Sequence, residues 1–232
     1  GTCGNVLTIL SYLGWNSFPI SRINSEPASC KVKQDLMKWG VRLEYAELEP
    51  VATVPVITQE IISSKNGSPK HRFHWRNCPK CGSWLQNYKP ITLKAINIIK
   101  ENVQRSDVYY FDRVSTAAIE LAKFFKSLGS IIFFEPSAKG DERLFEKAIN
   151  LSHIVKYSNQ RFSSVSQFKS RNHNIILEIK TLAEDGLQYK SKNNVSWKKL
   201  TPFSIDQIKD SCGSGDWTTA GIIKKLCCNG LS

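Results

Sequence analysis

No uninterrupted apolar run in this 232-residue chain approaches membrane-spanning length, and its start lacks the charged-then-apolar layout of a secretory signal. A chain that neither spans a membrane nor enters the secretory route is expected, with a cytoplasmic location. Internal repeats and low-complexity segments are also missing, which leaves an ordinary globular class. Acidic residues are scarce, 20 against 32 Lys and Arg, for a formal net charge of +12. That balance favours anionic ligands such as nucleotides, phosphorylated sugars or nucleic acid. No dense arginine-rich run accompanies it, and the bases are scattered from Lys31, Lys33 and Lys38 through Lys94 and Lys100 to Lys190–Lys199. Such scatter reads as a basic, solvated surface rather than a nucleic-acid face. Cysteines number seven, an odd count without a secretory signal, so reduced thiols are expected.

What is present points to a folded core. Hydrophobic residues make up 41% of the chain and six are tryptophan, enough for one elaborated domain or two small ones. Val6, Ile9, Leu10 and Leu13 have the i, i+3, i+4, i+7 spacing of an amphipathic helix over Asn5–Leu13, ended by Gly14. A second helix is read over Lys31–Trp39, ended by Gly40, and β-branched runs broken by proline occupy Val41–Ile62. From Ile91 a regular alternation begins. Helices are expected over Leu93–Val103, Thr116–Leu128 and Arg143–Asn150; strands over Asp107–Phe111, Ser130–Glu135, His153–Lys156 and Asn174–Thr181. Short apolar strands alternating with amphipathic helices imply βαβ units and a mostly parallel sheet covered on both faces. Ligands of such sheets bind beyond the C-terminal strand ends, where Glu135, Lys156 and Thr181 fall.

The most informative stretch is Asp210-Ser-Cys-Gly-Ser-Gly-Asp-Trp-Thr-Thr219. Gly213 and Gly215 lie directly before Asp216, which opens an apolar helical run. A glycine-rich turn at a helix N-terminus aims backbone N–H groups outward, with the positive dipole end behind them. Such a cup suits a phosphate or a developing anion, and an aspartate at its rim can take a proton from a hydroxyl. A glycine-rich turn capping an ordinary helix is the plain alternative.

Asp210-x-x-Gly213-x-Gly215-Asp216 followed by Thr219-Ala220-Gly221 resembles the C-terminal signature of the ribokinase-like (PfkB) carbohydrate kinases. The resemblance implies an anion hole on Gly213, Ser214 and Gly215, and Asp216 as catalytic base. It extends to Gly1-Thr-Cys-Gly4-Asn5-Val6, which is similar to the family's N-terminal sugar motif and puts Gly4 and Asn5 against substrate. Thr181-Leu-Ala-Glu-Asp-Gly186 resembles the Thr-x-Gly-x-x-Gly nucleotide loop with Ala183 in place of the first glycine; Thr181 and Gly186 then contact ATP phosphates, with Lys156 also on the nucleotide side. A solvent turn after a strand is the other reading of that loop. The family implies a three-layer αβα fold with a small β lid, here about residues 15–90, and a nucleotide-binding part from about 91. Implied ligands are ATP, Mg²⁺ and a sugar or nucleoside-like acceptor, and a homodimer through the lid is a further expectation.

Three places depart from the family. Ser21–Glu26 lacks the glycines and aspartate of the usual Gly-x-x-Gly-x-Asp turn. Ser158 and Arg161 replace the Asn and Glu of the Asn-x-x-Glu motif tied to magnesium; arginine cannot ligate Mg²⁺, so either Glu135 compensates or activity is reduced. On the resemblance, the chain also begins inside the sugar motif and stops soon after the catalytic helix, so a truncated product with an unprotected sheet edge is expected.

His71-Arg-Phe-His74-Trp-Arg-Asn-Cys78-Pro-Lys-Cys81-Gly82 follows no family pattern. Cys-x-x-Cys-Gly is a zinc half-site, and His71 and His74 would complete four ligands with Cys78 and Cys81. A reduced structural pair, or lid aromatics and bases contacting sugar, are the other readings. Arg113, after the Asp107–Phe111 strand, either binds an anion at the cleft or makes a surface ion pair with Asp112. Two functions fit these residues: ATP-dependent phosphoryl transfer to a sugar-like hydroxyl, and a non-catalytic kinase fold that binds a partner or nucleic acid.

Overall fold

A computed structural model describes residues 2–47, 52, 54–62, 70–103, 105–170, 173–204 and 210–227. Its centre is a six-stranded sheet in the order β10-β9-β8-β7-β6-β5. The strands are β5 (Val108–Phe111), β6 (Ile131–Phe134), β7 (Ile154–Ser158), β8 (Leu177–Thr181), β9 (Leu187–Ser191) and β10 (Asn194–Leu200). β5 to β8 run parallel; β9 pairs antiparallel with β8, and β10 antiparallel with β9. The α/β alternation thus stands as expected, and β9 with β10 adds a two-strand antiparallel extension to the parallel strands.

Strand parity explains the layers. Tyr109, Phe111, Ile132, Phe134, Val155 and Tyr157 face one cluster, which is covered by α3 (Leu93–Asn102), α4 (Thr116–Ser127) and α5 (Glu142–Leu151). Phe133, Ile154 and Ile179 face the other, covered by α1 (Thr2–Tyr12) and α6 (Ser214–Cys227). The parallel part of the sheet, β5 to β8, is therefore covered on both faces, as parallel strands require. Thr92, Ser115 and Asp141 cap α3, α4 and α5, each side chain accepting from a backbone N–H three residues on. Among the described residues no helix is long and apolar enough to cross a membrane.

The segment before α3 holds α2 (Pro27–Lys38) and two small sheets: parallel β1 (Ser21–Arg22) with β2 (Ala46–Glu47), and antiparallel β3 (Thr58–Ile62) with β4 (Lys70–His74). Ile61, Phe73 and Trp75 are exposed on or beside the β3–β4 ribbon. The β-branched run near 51–56 forms no strand where it is described, since its prolines remove ladder donors; residues 51 and 53 lie outside the described residues.

Candidate active site

Helices α1 and α6, from opposite ends of the chain, pack together on one face of the sheet. The contact follows from Val6, Ile9 and Leu10 on α1 meeting Ala220 and Ile223 on α6. It brings Asn5 to Asp216, whose Oδ2 accepts a hydrogen bond from Asn5 Nδ2 at 2.6 Å. Two residues named from separate sequence motifs, 211 positions apart, therefore form one contact. Gly4 lies beside them in the first turns of α1, half-buried.

The turn leading into α6 is built locally. Asp210 accepts from the Cys212 N–H at 2.8 Å, Gly213 has φ +81°, and the Trp217 N–H returns to the Gly213 carbonyl at 2.9 Å. Positive φ is why position 213 calls for glycine. α6 opens at Ser214, so Ser214, Gly215 and Asp216 form its first turn, where N–H groups lack intrahelical partners. Asp216 is half-buried, and burial pushes its carboxyl above the ordinary aspartate range. Asn5 opposes that shift by hydrogen bonding, Glu135 adds to it by like charge, and Lys156 opposes it.

Beneath this turn lies a polar hub in the apolar face. Glu135, just past β6, accepts from Lys156 Nζ at 2.5 Å through Oε1, and from Thr219 Oγ1 at 2.5 Å and Tyr110 OH at 3.0 Å through Oε2. Lys156 Nζ also donates to the Gly215 carbonyl at 3.2 Å, and Thr219 Oγ1 lies 3.1 Å from that same oxygen. The Lys156 and Glu135 side chains are 3% and 12% exposed, so this is a buried ion pair. Burial and the Glu135 charge push the Tyr110 phenol up, which keeps it a donor. In the sequence, Glu135 and Lys156 stand out as strand-end residues, and the resemblance implied a magnesium role for Glu135 and a nucleotide role for Lys156; their mutual pairing was not read. The further signal was a charged residue inside the apolar run Ile154–Tyr157, since a lysine there must be paired.

Glu135 is not free to serve as a magnesium ligand, because three donors occupy its two oxygens. With Ser158 and Arg161 at the Asn-x-x-Glu position, the residues present there do not fit Mg²⁺.

At the end of β8, Thr181 leads into a 3-10 turn over Ala183–Asp185 and then Gly186. Ala183 has φ +55°, the left-handed region. The one non-glycine described at positive φ thus stands where the resemblance expected a glycine, and an L side chain there costs about 1–2 kcal/mol. Ala183→Gly is expected to stabilise the protein by about 1 kcal/mol, raising Tm by about 2–4 °C in thermal unfolding. An unchanged or lower Tm would refute the strain. Gly186 has φ +87°, and a Cβ there would lie 2.3 Å from the Leu200 carbonyl oxygen.

Asp112, after β5, accepts from the Cys3 thiol at 3.2 Å; burial and the Asp112 charge push that thiol well up. Arg113 lies over the Tyr88 ring, 4.9 Å from its centroid. Burial, with Asp112 nearby, raises the Tyr88 phenol to about 12.

Among the described residues the zinc set is not assembled. His74 Nε2 is bonded to Glu60 at 2.8 Å across the β3–β4 ribbon, and the side chain of His71 lies outside the described residues. Among the described residues no three His, Cys, Asp or Glu converge as metal ligands. Cys78 and Cys81 share a tight turn, with the Gly82 N–H bonded to the Cys78 carbonyl and Cys81 Sγ 3.2 Å from Ser83 Oγ. Both are free thiols.

The fold is that of the ribokinase-like sugar and nucleoside kinases. A Xylella fastidiosa fructokinase with bound ATP superposes with a TM-score of 0.72 at 13% identity, covering 99% of this chain and 74% of that one. A sugar kinase from Pyrococcus horikoshii in complex with ATP gives 0.72 at 19%, covering 97% and 74%. The Burkholderia thailandensis nucleoside kinase in complex with inosine gives 0.70 at 14%, covering 97% and 71%. No protein-family model and no curated protein matches the sequence.

Proposed function

We propose that this chain transfers a phosphoryl group from ATP to a hydroxyl of a sugar or nucleoside-like acceptor. One observation carries the reading: the Asn5–Asp216 contact joins an amide and an acid at the mouth of a glycine-built helix N-terminus. The fold similarity, which includes ATP-bound and nucleoside-bound kinases, supports it.

On this reading Asp216 accepts the acceptor's hydroxyl proton as that oxygen bonds to the γ-phosphorus, while the bond from that phosphorus to the β,γ-bridging oxygen breaks and ADP leaves. Asn5 holds the Asp216 carboxylate in orientation and leaves its other oxygen for the substrate. Gly4 lines the acceptor side. The N–H groups of the Gly213–Gly215 turn stabilise the charge developing on the transferred group, aided by the α6 dipole. Thr181 and Gly186 contribute the loop that faces the nucleotide phosphates. Positioning and charge stabilisation are what phosphoryl transfer asks of a protein. The raised Asp216 carboxyl makes it a stronger base than an exposed aspartate once ionised.

An ADP-release screen over sugars and nucleosides tests the proposal. At least one acceptor is expected to raise ADP release about tenfold or more over ATP alone, within the range a positioned base supplies. Salt-sensitive RNA or DNA binding with no acceptor stimulation would instead favour a non-catalytic binding module.

A further inference from the structure

Glu135, Lys156 and Thr219 have no assigned part in the proposed chemistry, yet they are the most constrained polar groups beneath it. Lys156 and Glu135 are nearly excluded from solvent. Lys156 Nζ joins β7 to the α6 backbone at the Gly215 carbonyl, inside the turn that would hold the anion. Thr219, fully buried on the next turn of α6, donates to Glu135, which stands past the end of β6. A Cβ at position 215 would lie only 3.9 Å from Lys156 Nζ, so the ammonium sits directly under the Gly-Ser-Gly backbone. Strands β6 and β7 are thereby tied to the first two turns of α6 by two bonds, one to its backbone and one to a side chain.

We propose that Glu135, Lys156 and Thr219 form a positioning clamp that fixes the first turn of α6, and with it Asp216 and the Gly213–Gly215 amides, relative to the parallel strands. The inference rests on the kinase reading for its consequence but on separate bonds for its existence. It reassigns Lys156, which acts through the helix and not by touching the nucleotide. A buried ion pair is a poor source of stability, because desolvating both ions offsets their attraction. Its value here is geometric. A helix terminus held from below by fixed donors keeps its amides and acid in register, and a misplacement of about 1 Å can cost about 10²-fold in rate.

The kinetic split separates a clamp from a nucleotide contact. Glu135→Gln and Lys156→Met are expected to lower kcat by about 10²-fold with KM for ATP changed less than about threefold. Thr219→Val, which removes one hydroxyl and perturbs folding least, is expected to lower kcat about tenfold, and Thr219→Ser to restore it. Hydrogen exchange at the amides of Trp217, Thr218 and Thr219 is expected to quicken about tenfold in Thr219→Val. A rise of about tenfold in KM for ATP in Lys156→Met with kcat intact would make Lys156 a nucleotide contact and overturn the clamp. So would unchanged kcat and unchanged exchange in Thr219→Val. A wild-type chain that transfers to no acceptor, with exchange still altered in Thr219→Val, would overturn the kinase reading while leaving the bonds of the clamp in place.

Discussion

Replacing Asp216 by Asn is expected to lower turnover by about 10²–10⁴-fold, the usual contribution of a general base, and to leave ATP binding within about threefold of wild type. Asparagine keeps the shape and can still accept from Asn5 Nδ2, so the loss isolates proton transfer. The same variant makes a second, opposite prediction for stability. Asp216 carries a raised folded-state pKa, from burial first, then Asn5 in opposition, with Glu135 raising and Lys156 lowering it. A carboxyl raised on folding stabilises the protein fully only below its unfolded value, about 3.9. That stability is lost as pH rises through the raised folded value. At neutral pH the ionised acid is therefore a liability, and Asp216→Asn is expected to melt higher than wild type, with the difference shrinking towards about pH 4. The acid limb of wild-type kcat/KM is expected above the ordinary aspartate range for the same reason. Thermal unfolding at several pH values and a pH–rate profile check both statements. A variant that melts lower at neutral pH while retaining turnover would contradict them together.

Gly186→Ala is expected to be the most damaging single-methyl change near the site. At φ +87° an alanine is strained, and its Cβ would stand 2.3 Å from the Leu200 carbonyl oxygen and 2.9 Å from Pro202 N. Backbone atoms cannot swing aside as a flexible side chain can, so the turn after β8 or the end of β10 must shift. The expected loss is about 3 kcal/mol or more, which lowers Tm by about 6–12 °C. Because the crossing positions the Thr181–Gly186 loop, weaker ATP binding is expected in the folded fraction. A Tm within about 2 °C of wild type would show that the crossing relaxes easily. Gly221, mid-helix on α6, is the natural control: a Cβ there would meet nothing within 4 Å, so alanine is expected to be tolerated or to stabilise.

The parallel strands were legible because each is a short, largely apolar run, and β5 and β6 are each followed by a helix with its own side-chain cap. Ser115 and Asp141 cap α4 and α5, whose starts at Thr116 and Glu142 lie within one residue of the expected Thr116 and Arg143. Of the site, Asn5 and Asp216 were legible as motif members, but their mutual contact was not, since it depends on the packing of α1 against α6. Glu135 illustrates the limit. Its position past a strand suggested a ligand-facing carboxylate, and only the fold reveals that Lys156, Thr219 and Tyr110 occupy it. Spacing alone is also poor at metal sites. His74 lies close to Cys78 in sequence, yet the β3–β4 pairing gives it to Glu60. Ala183 runs the other way: what looks in sequence like a lost glycine keeps the glycine backbone conformation.

Asp216, held by Asn5 at the α6 N-terminus, is the group on which phosphoryl transfer to a hydroxyl is proposed to depend. Transfer of radiolabel from γ-labelled ATP to a panel of sugars and nucleosides, comparing wild type with Asp216→Asn, tests that dependence most directly. Label is expected on at least one acceptor with the wild-type chain, and at least about 10²-fold less with the variant. Equal labelling by both proteins, or none by the wild type across the panel while ATP remains bound, would contradict it.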